Sequence, residues 1–231
     1  MREIVFDTET TGLDNQTDRI IEIGCIELEN QFPTGRSLHL FINPDGRKVH
    51  PDALAVHGIT DAFLADKPVF ADVAEEIAAF FDGAHYVAHN ATFDMGFLNS
   101  EYRRLGRPPV APDLVIDTLA LARRRHPMGP NSLDALCRRY GIDNSHRSKH
   151  GALLDAELLT DVYIEMLGGR QAALGLSAST TVEVERSSDD EIVVIGDRPT
   201  PLPPRVSAAD IHAHAALIER IGTDALWRKS G

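Results

Sequence analysis

Asp7 and Glu9 stand two residues apart in the run Ile4-Val-Phe-Asp-Thr-Glu9, at the exit of an apolar segment that reads as a buried strand. Side chains alternate along a strand, so the two carboxylates share a face. Held that close they repel unless a proton or a cation intervenes. A hard divalent cation such as Mg²⁺ takes oxygen ligands of this kind. Another acid, Asp94, follows in His89-Asn90-Ala-Thr-Phe93-Asp94. There Asn90 ends a strand and is placed to cap the next helix, which puts Asp94 in its first turn. A further acid, Asp155, lies in His150-Gly-Ala-Leu-Leu-Asp155, inside a helix beside Leu153, Leu154 and Leu158. An acid among leucines needs something cationic to face. The histidine just before that helix titrates near neutral pH and can take a proton from water. Each motif alone also has a plainer explanation. These are a polar strand exit turning toward Gly12, an acid favoured at a helix N-terminus, and a surface histidine ahead of an amphipathic helix.

The elements that must position these groups can be read from hydrophobic period. Met1 to Phe6, residues 19–28 and Ser37 to Ile42 read as three strands with short links, an antiparallel meander. The period then changes. Val69, Phe70, Val73, Ile77, Phe80 and Phe81 follow helical spacing behind Pro68, and Gly83 ends that helix. Tyr86 to Ala88 is a short strand, 91–105 a helix, and Leu114 to Ile116 another strand. Ser132 opens a helix stopped at Gly141, and Leu153 to Leu167 form a last helix stopped at Gly168-Gly169. A meander followed by alternating helix and strand is an α/β domain with a mixed sheet.

The chain has 231 residues, and with 43% hydrophobic residues it can bury a full core. No apolar run is long enough to span a bilayer, so no membrane contact is expected. The start, Met-Arg-Glu-Ile-Val-Phe-Asp, enters a strand directly and shows no secretion signal. Cys25 and Cys137 lie in unlike contexts and read as two buried thiols in a reducing cytoplasm. The net charge of −12 argues against a nucleic-acid partner until its distribution is considered. Residues 101–150 hold ten Lys or Arg against five Asp or Glu, a local excess of +5. Arg123 to Arg125, Arg138, Arg139, Arg147 and Lys149 lie here, either as solvated helix faces or as a basic rim beside an acidic site. Bound cations would turn that site into a surface that accepts phosphate.

Taken together and in order, Phe6-Asp-Thr-Glu-Thr-Thr-Gly12, His89-Asn-Ala-Thr-Phe-Asp94 and His150-Gly-Ala-Leu-Leu-Asp155 resemble the three exonuclease segments of the DEDD superfamily. His150, five residues before the last acid, places the chain in the histidine branch. Val56-His57-Gly58-Ile59-Thr60, Asn131 to Cys137 and Ala225-Leu226-Trp227-Arg228 further resemble the family of proofreading (epsilon) subunits of bacterial DNA polymerase III. The resemblance implies a ribonuclease-H-like fold and removal of mismatched nucleotides from DNA 3′ ends, with release of nucleoside 5′-monophosphates. It implies two divalent cations, Mg²⁺ or Mn²⁺, held by Asp7, Glu9, Asp94 and Asp155, with His150 as general base. It also places Asp52 and His57 near the terminal nucleotide, beside the metal-bound ends of Asp7, Glu9 and Asp155. The rivals are an RNA-trimming exonuclease of the same superfamily and a polymerase scaffold with a vestigial nuclease.

Residues 1–170 thus read as the exonuclease domain, 171–205 as a linker and 206–231 as a segment that binds the polymerase catalytic (alpha) subunit. Gln171, Leu174 and Leu176 resemble peptides that enter a pocket on the bacterial sliding clamp. The polar stretch 177–191 and the prolines at 199, 201, 203 and 204 suit a tether. Ser207-x-x-Asp210 resembles a capping box. Behind it Ile211, Ala215, Ile218 and Ile221 keep helical spacing, with Leu226 and Trp227 beyond Gly222.

Overall fold

The structure is a computed structural model, and it describes residues 1–145, 149–169 and 207–221. The chain divides into two compact units, Met1–Ser177 and Ala178–Gly231. The first holds a five-stranded mixed sheet in the order β3-β2-β1-β4-β5. β1 (Arg2–Thr10), β2 (Ile20–Glu29) and β3 (Phe32–Phe41) form the expected antiparallel meander, and β4 (His85–Ala88) and β5 (Val115–Asp117) extend it in parallel beside β1. This is the α/β mixed sheet that the alternation of period predicts. β1 runs past its apolar stretch to Thr10, so Asp7 and Glu9 lie within the strand and not beyond its end.

Helices cover both faces. On one, α3 (Phe70–Phe81) and α4 (Thr92–Arg104) bury Phe70, Ile77, Phe81, Phe97 and Leu98 against Ile4, Phe6 and Ile23. Phe81 stacks on Tyr86 with ring centroids 4.4 Å apart, and Phe6 meets Phe81 edge-on. On the other face α7 (Ala152–Leu167) sets Leu159 and Tyr163 on Val5, Leu28 and Val87. Its outer side packs Leu158, Val162 and Met166 on α5 (Thr118–Arg125) and α6 (Leu133–Tyr140). Three helices have no counterpart in the sequence reading: α1 (Pro51–His57), α2 (Asp61–Leu64) and α5. All are short, so hydrophobic period has few turns in which to show itself. Cys25 and Cys137 are both buried thiols. No helix among the described residues is long and apolar enough to cross a membrane.

Two features fix α7 on the sheet. At the far end the Tyr163 hydroxyl donates to Glu3 Oε1 at 2.7 Å in a fully buried contact. At the near end β2 carries Gly24, the register partner of Asp7. A Cβ on Gly24 would lie 2.2 Å from the Leu153 nitrogen and 2.3 Å from its Cα. Only glycine lets the backbone of the first helical turn rest on the strand. α4 is tied separately: Glu101, almost fully buried, accepts from Arg19 Nε at 2.7 Å and Nη2 at 3.1 Å. That two-pronged pair joins the helix carrying Asp94 to the entry of β2.

In the second unit α8 (Ala208–Ile221) opens on the expected capping box. Ser207 Oγ accepts from the Asp210 amide at 3.2 Å, and Asp210 Oδ2 accepts from the Ser207 amide at 2.9 Å. Ile211 and Ile221 are exposed on it, and Ile218 is half-buried. Gln171, Leu174, Leu176, Leu226, Trp227 and Arg147 lie outside the described residues.

Gly24→Ala should cost about 3 kcal/mol or more, the upper end of the overpacking range, because the new methyl meets helix backbone and not a side chain able to turn away. An unfolding free energy from urea titration within about 0.5 kcal/mol of the parent's would show that α7 does not rest on β2 this closely.

Candidate active site

One cavity of about 320 Å³ gathers Asp7, Glu9, Asp94, His150 and Asp155. Four elements deliver them. Asp7 and Glu9 point from the α7 face of β1, as strand alternation requires. Asp155 sits in the first turn of α7, brought to that face by the contact at Gly24. Asp94 occupies the first turn of α4. His150 precedes α7, and its amide donates to the Val56 carbonyl at 3.3 Å, which rests the loop against α1.

Burial sharpens the electrostatics. Glu9, Asp94 and Asp155 are buried, and Asp7 is half-buried. Glu22 stands directly across from Glu9 and is buried too, in contact with His39 Nε2 at 2.7 Å. Asp94 shows the strain most plainly. Burial pushes its carboxyl up to about 7, against the bonds from Thr8 that hold it down. Those bonds come from the Thr8 amide at 3.1 Å and its hydroxyl at 2.7 Å, both reaching Oδ1. A carboxyl in that range takes up a proton near neutrality unless a cation stands beside it. The His150 ring is half exposed and sets Nδ1 3.2 Å from Asp155 Oδ2. Ligand atoms of Glu9, His150 and Asp155 all lie within 4.8 Å of one another, a spacing that one divalent cation can span. The donor set is dominated by carboxylate oxygens, which is what Mg²⁺ or Mn²⁺ takes.

Asn90 behaves differently from the capping role expected of it. The N-cap of α4 is Ala91, with no side-chain bond to the helix, and Asn90 instead takes a left-handed conformation with φ 63° in the turn before it. Asparagine tolerates that region better than most residues. The turn is held from outside, because Asp117 accepts from the Asn90 amide at 3.1 Å while also capping α5 through the Leu119 amide at 2.9 Å. Asp117 was missed in the sequence, and its only local sign is an acid ahead of a helical stretch. His89 was missed as well. Its ring lies on the cavity wall between Thr118 Oγ1 and the Asn131 carbonyl, each at 2.9 Å. The carbonyl can only accept, so Nε2 is the donor. Burial holds this ring below the usual imidazole range and therefore neutral. It pins the start of α6, whose Ser132, Leu133 and Asp134 close the wall.

Asp52 and His57 are not among the residues lining this cavity. Asp52 is almost fully exposed on the first turn of α1, within 3.5 Å of His50 Nδ1. His57 is buried at the end of that helix, where Nδ1 accepts from the Ile59 amide at 3.0 Å. Burial lowers its pKa, and the nearby Lys149 and His150 lower it further.

Residues 4–163 match the exonuclease family RNase_T. The DNA polymerase III subunit epsilon of Escherichia coli K12 is 43% identical over 98% of this chain and 97% of its own length. The subunit of the same name from Haemophilus influenzae is 51% identical over 73% of this chain and 68% of its own. The chain belongs to this epsilon-subunit family. The likeness runs through the C-terminal unit as well as the domain that bears the site. Among solved structures, exonuclease X in complex with 5′-overhanging duplex DNA is 32% identical, with a TM-score of 0.57 over 72% of this chain and 90% of that one. The nuclease domain of 3′hExo, a DEDDh family member bound to rAMP, shares the fold with a TM-score of 0.62 at 16% identity, over 72% of this chain and 91% of its own. In this epsilon-family chain the motifs spread between Asp7 and Asp155 therefore converge on one acidic cavity of an exonuclease fold.

Thr8→Val keeps the shape of the side chain and removes the hydroxyl that orients Asp94. It should weaken Mn²⁺ binding about 10–100-fold, the usual effect of losing a partner behind a metal ligand. An unchanged affinity in an electron paramagnetic resonance titration would place Asp94 outside the cation site.

Proposed function

We propose that this chain is the proofreading exonuclease of a replicative DNA polymerase, removing mismatched nucleotides from DNA 3′ ends in the cytoplasm. The observation that carries this is the convergence of Asp7, Glu9, Asp94, His150 and Asp155 in one cavity of an epsilon-family chain. Two divalent cations, Mg²⁺ or Mn²⁺, would supply Lewis acidity at the scissile phosphodiester when bound. Asp7, Glu9 and Asp155 would hold them together with Asp94, which Thr8 aims. His150 takes the proton of the attacking water. The Asp155 carboxylate lies 3.2 Å from Nδ1 and orients the ring. The nucleotide leaves as a 5′-monophosphate. His57 and Asp52, on α1 beside the His150 loop, are assigned to the terminal nucleotide.

The RNA-trimming reading is disfavoured by the match to an epsilon subunit over nearly its full length. The scaffold reading is disfavoured by the intact acids. The geometry does favour one second reading of a single residue. Glu9, His150 and Asp155 are close enough for His150 to be a cation ligand.

With Mg²⁺ or Mn²⁺ the protein should digest 3′-labelled single-stranded DNA, and do so in preference to RNA. Asp155→Ala should cost at least about a hundredfold in rate. His150→Ala should lower turnover by roughly 10²–10⁴-fold with cation binding kept. Loss of cation binding in His150→Ala would make that residue a ligand, and parent-like digestion by Asp155→Ala would overturn the site.

Beyond residue 170 the proposal has two parts. Gln171, Leu174 and Leu176 contact the sliding clamp. Residues 206–231 dock on the polymerase catalytic (alpha) subunit through Ile211, Ile218, Ile221, Leu226 and Trp227. A helix of this length is marginal in water by itself, and its exposed isoleucines suit an interface. The intervening linker keeps the nuclease near the primer end and raises its local concentration there. Truncation after Gly169 should leave exonuclease rate and melting temperature nearly unchanged and abolish co-purification with the polymerase subunit. Retained binding would assign the polymerase contact to the nuclease domain instead.

A further inference from the structure

A second cavity, of about 490 Å³, adjoins the acidic one and shares Asp134 and His150 with it. Its character is opposite. Arg138 from α6 and Lys149 from the loop before α7 line it, with Asn144 and the α1 residues Ala55 and Val56. The one acid in its wall, Asp134, accepts from Asn144 Nδ2 at 3.0 Å. Lys149 lies across the C-terminal end of α1. A Cβ on Gly58, which ends that helix at φ 75°, would sit 2.5 Å from Lys149 Nζ. The negative end of a helix is a favourable place for an ammonium group.

Charge gives this pairing of cavities a purpose. The acidic cavity repels a phosphodiester strand, and bound cations offset that only where they sit. The strand running away from the scissile bond needs its own counter-charge. Arg, Lys and Asn side chains are the usual ligands of backbone phosphate and read no sequence, which suits an enzyme that must accept any 3′ end. Building on the exonuclease reading above, we propose that Arg138 and Lys149 bind the next phosphate back along the single strand whose 3′ end lies among the acids.

The test is steady-state digestion of single-stranded DNA by the full chain in Mg²⁺, with NaCl varied, for the parent protein and for Arg138→Gln, Lys149→Gln and Lys149→Arg. Each charge bound to a single-strand phosphate contributes about 0.7 to the slope of log KM against log salt. Each Gln variant should lose about that much slope. Its KM should rise about fivefold at 0.1 M salt, the same slope carried from the 1 M reference, with kcat held. Lys149→Arg should keep the parent slope. An unaltered slope in both Gln variants overturns the proposal. So does a loss of kcat at steady KM in Lys149→Gln that Lys149→Arg does not restore, since it marks Lys149 as a prop for the loop. A parent protein that digests no DNA fails the exonuclease reading itself, an outcome distinct from a parent that digests DNA with the same salt slope as its variants.

Discussion

The first turn of α7 rests directly on β2, and the site depends on that contact. Asp7 and Glu9 come from a strand and Asp155 from a helix almost 150 positions later in the chain. A helix normally packs on a sheet through side chains on both surfaces, which would hold Asp155 away from β1. Gly24 removes one of those layers where Asp7 has its register partner. Leu159 and Tyr163 supply the apolar anchorage further along α7, and the buried bond from Tyr163 to Glu3 secures its far half. The helix is thus located at two points on the same face of the sheet, on β2 and on β1.

Bringing these acids together is unfavourable in the absence of cations. Glu9, Asp94 and Asp155 are buried, and Asp94 is displaced toward its protonated form. The surrounding fold holds the acids in place with a set of directed bonds. Thr8 donates twice to Asp94, and the Arg19–Glu101 pair holds α4 to the sheet. Asp117 and His89 fix the turn and the helix start on the cavity wall. A cluster preorganised at such a cost suits cation binding, because little rearrangement remains when the cations arrive.

The overall charge of −12 and the local basic excess of 101–150 are then compatible. Asp7, Glu9, Asp94 and Asp155 face one cavity, and Arg138 and Lys149 line the adjoining one. The sign of the whole chain says little about its partner, because the partner meets the charge locally.

How much was legible beforehand follows from the range of the interactions involved. The meander, the long helices and the capping box at Ser207 are set by period and by local bonds, so they could be read from residues close together in the chain. The shared face of Asp7 and Glu9 is equally local, a consequence of strand alternation alone. Membership of the exonuclease family could be read because three short motifs recur in order. The short helices α1, α2 and α5 escaped because a few turns carry too little periodic signal. The left-handed Asn90 escaped because its conformation is imposed by Asp117, from another strand. Asp52 and His57 came to the reading by resemblance, and only the packing of α1 decides that one is exposed and the other buried beside the His150 loop. The sequence alone singled out four acids and one histidine as candidates for the chemistry. The tertiary structure decided that they share one cavity, because a glycine on β2 lets a helix backbone approach a strand, and such long-range contacts leave no local mark.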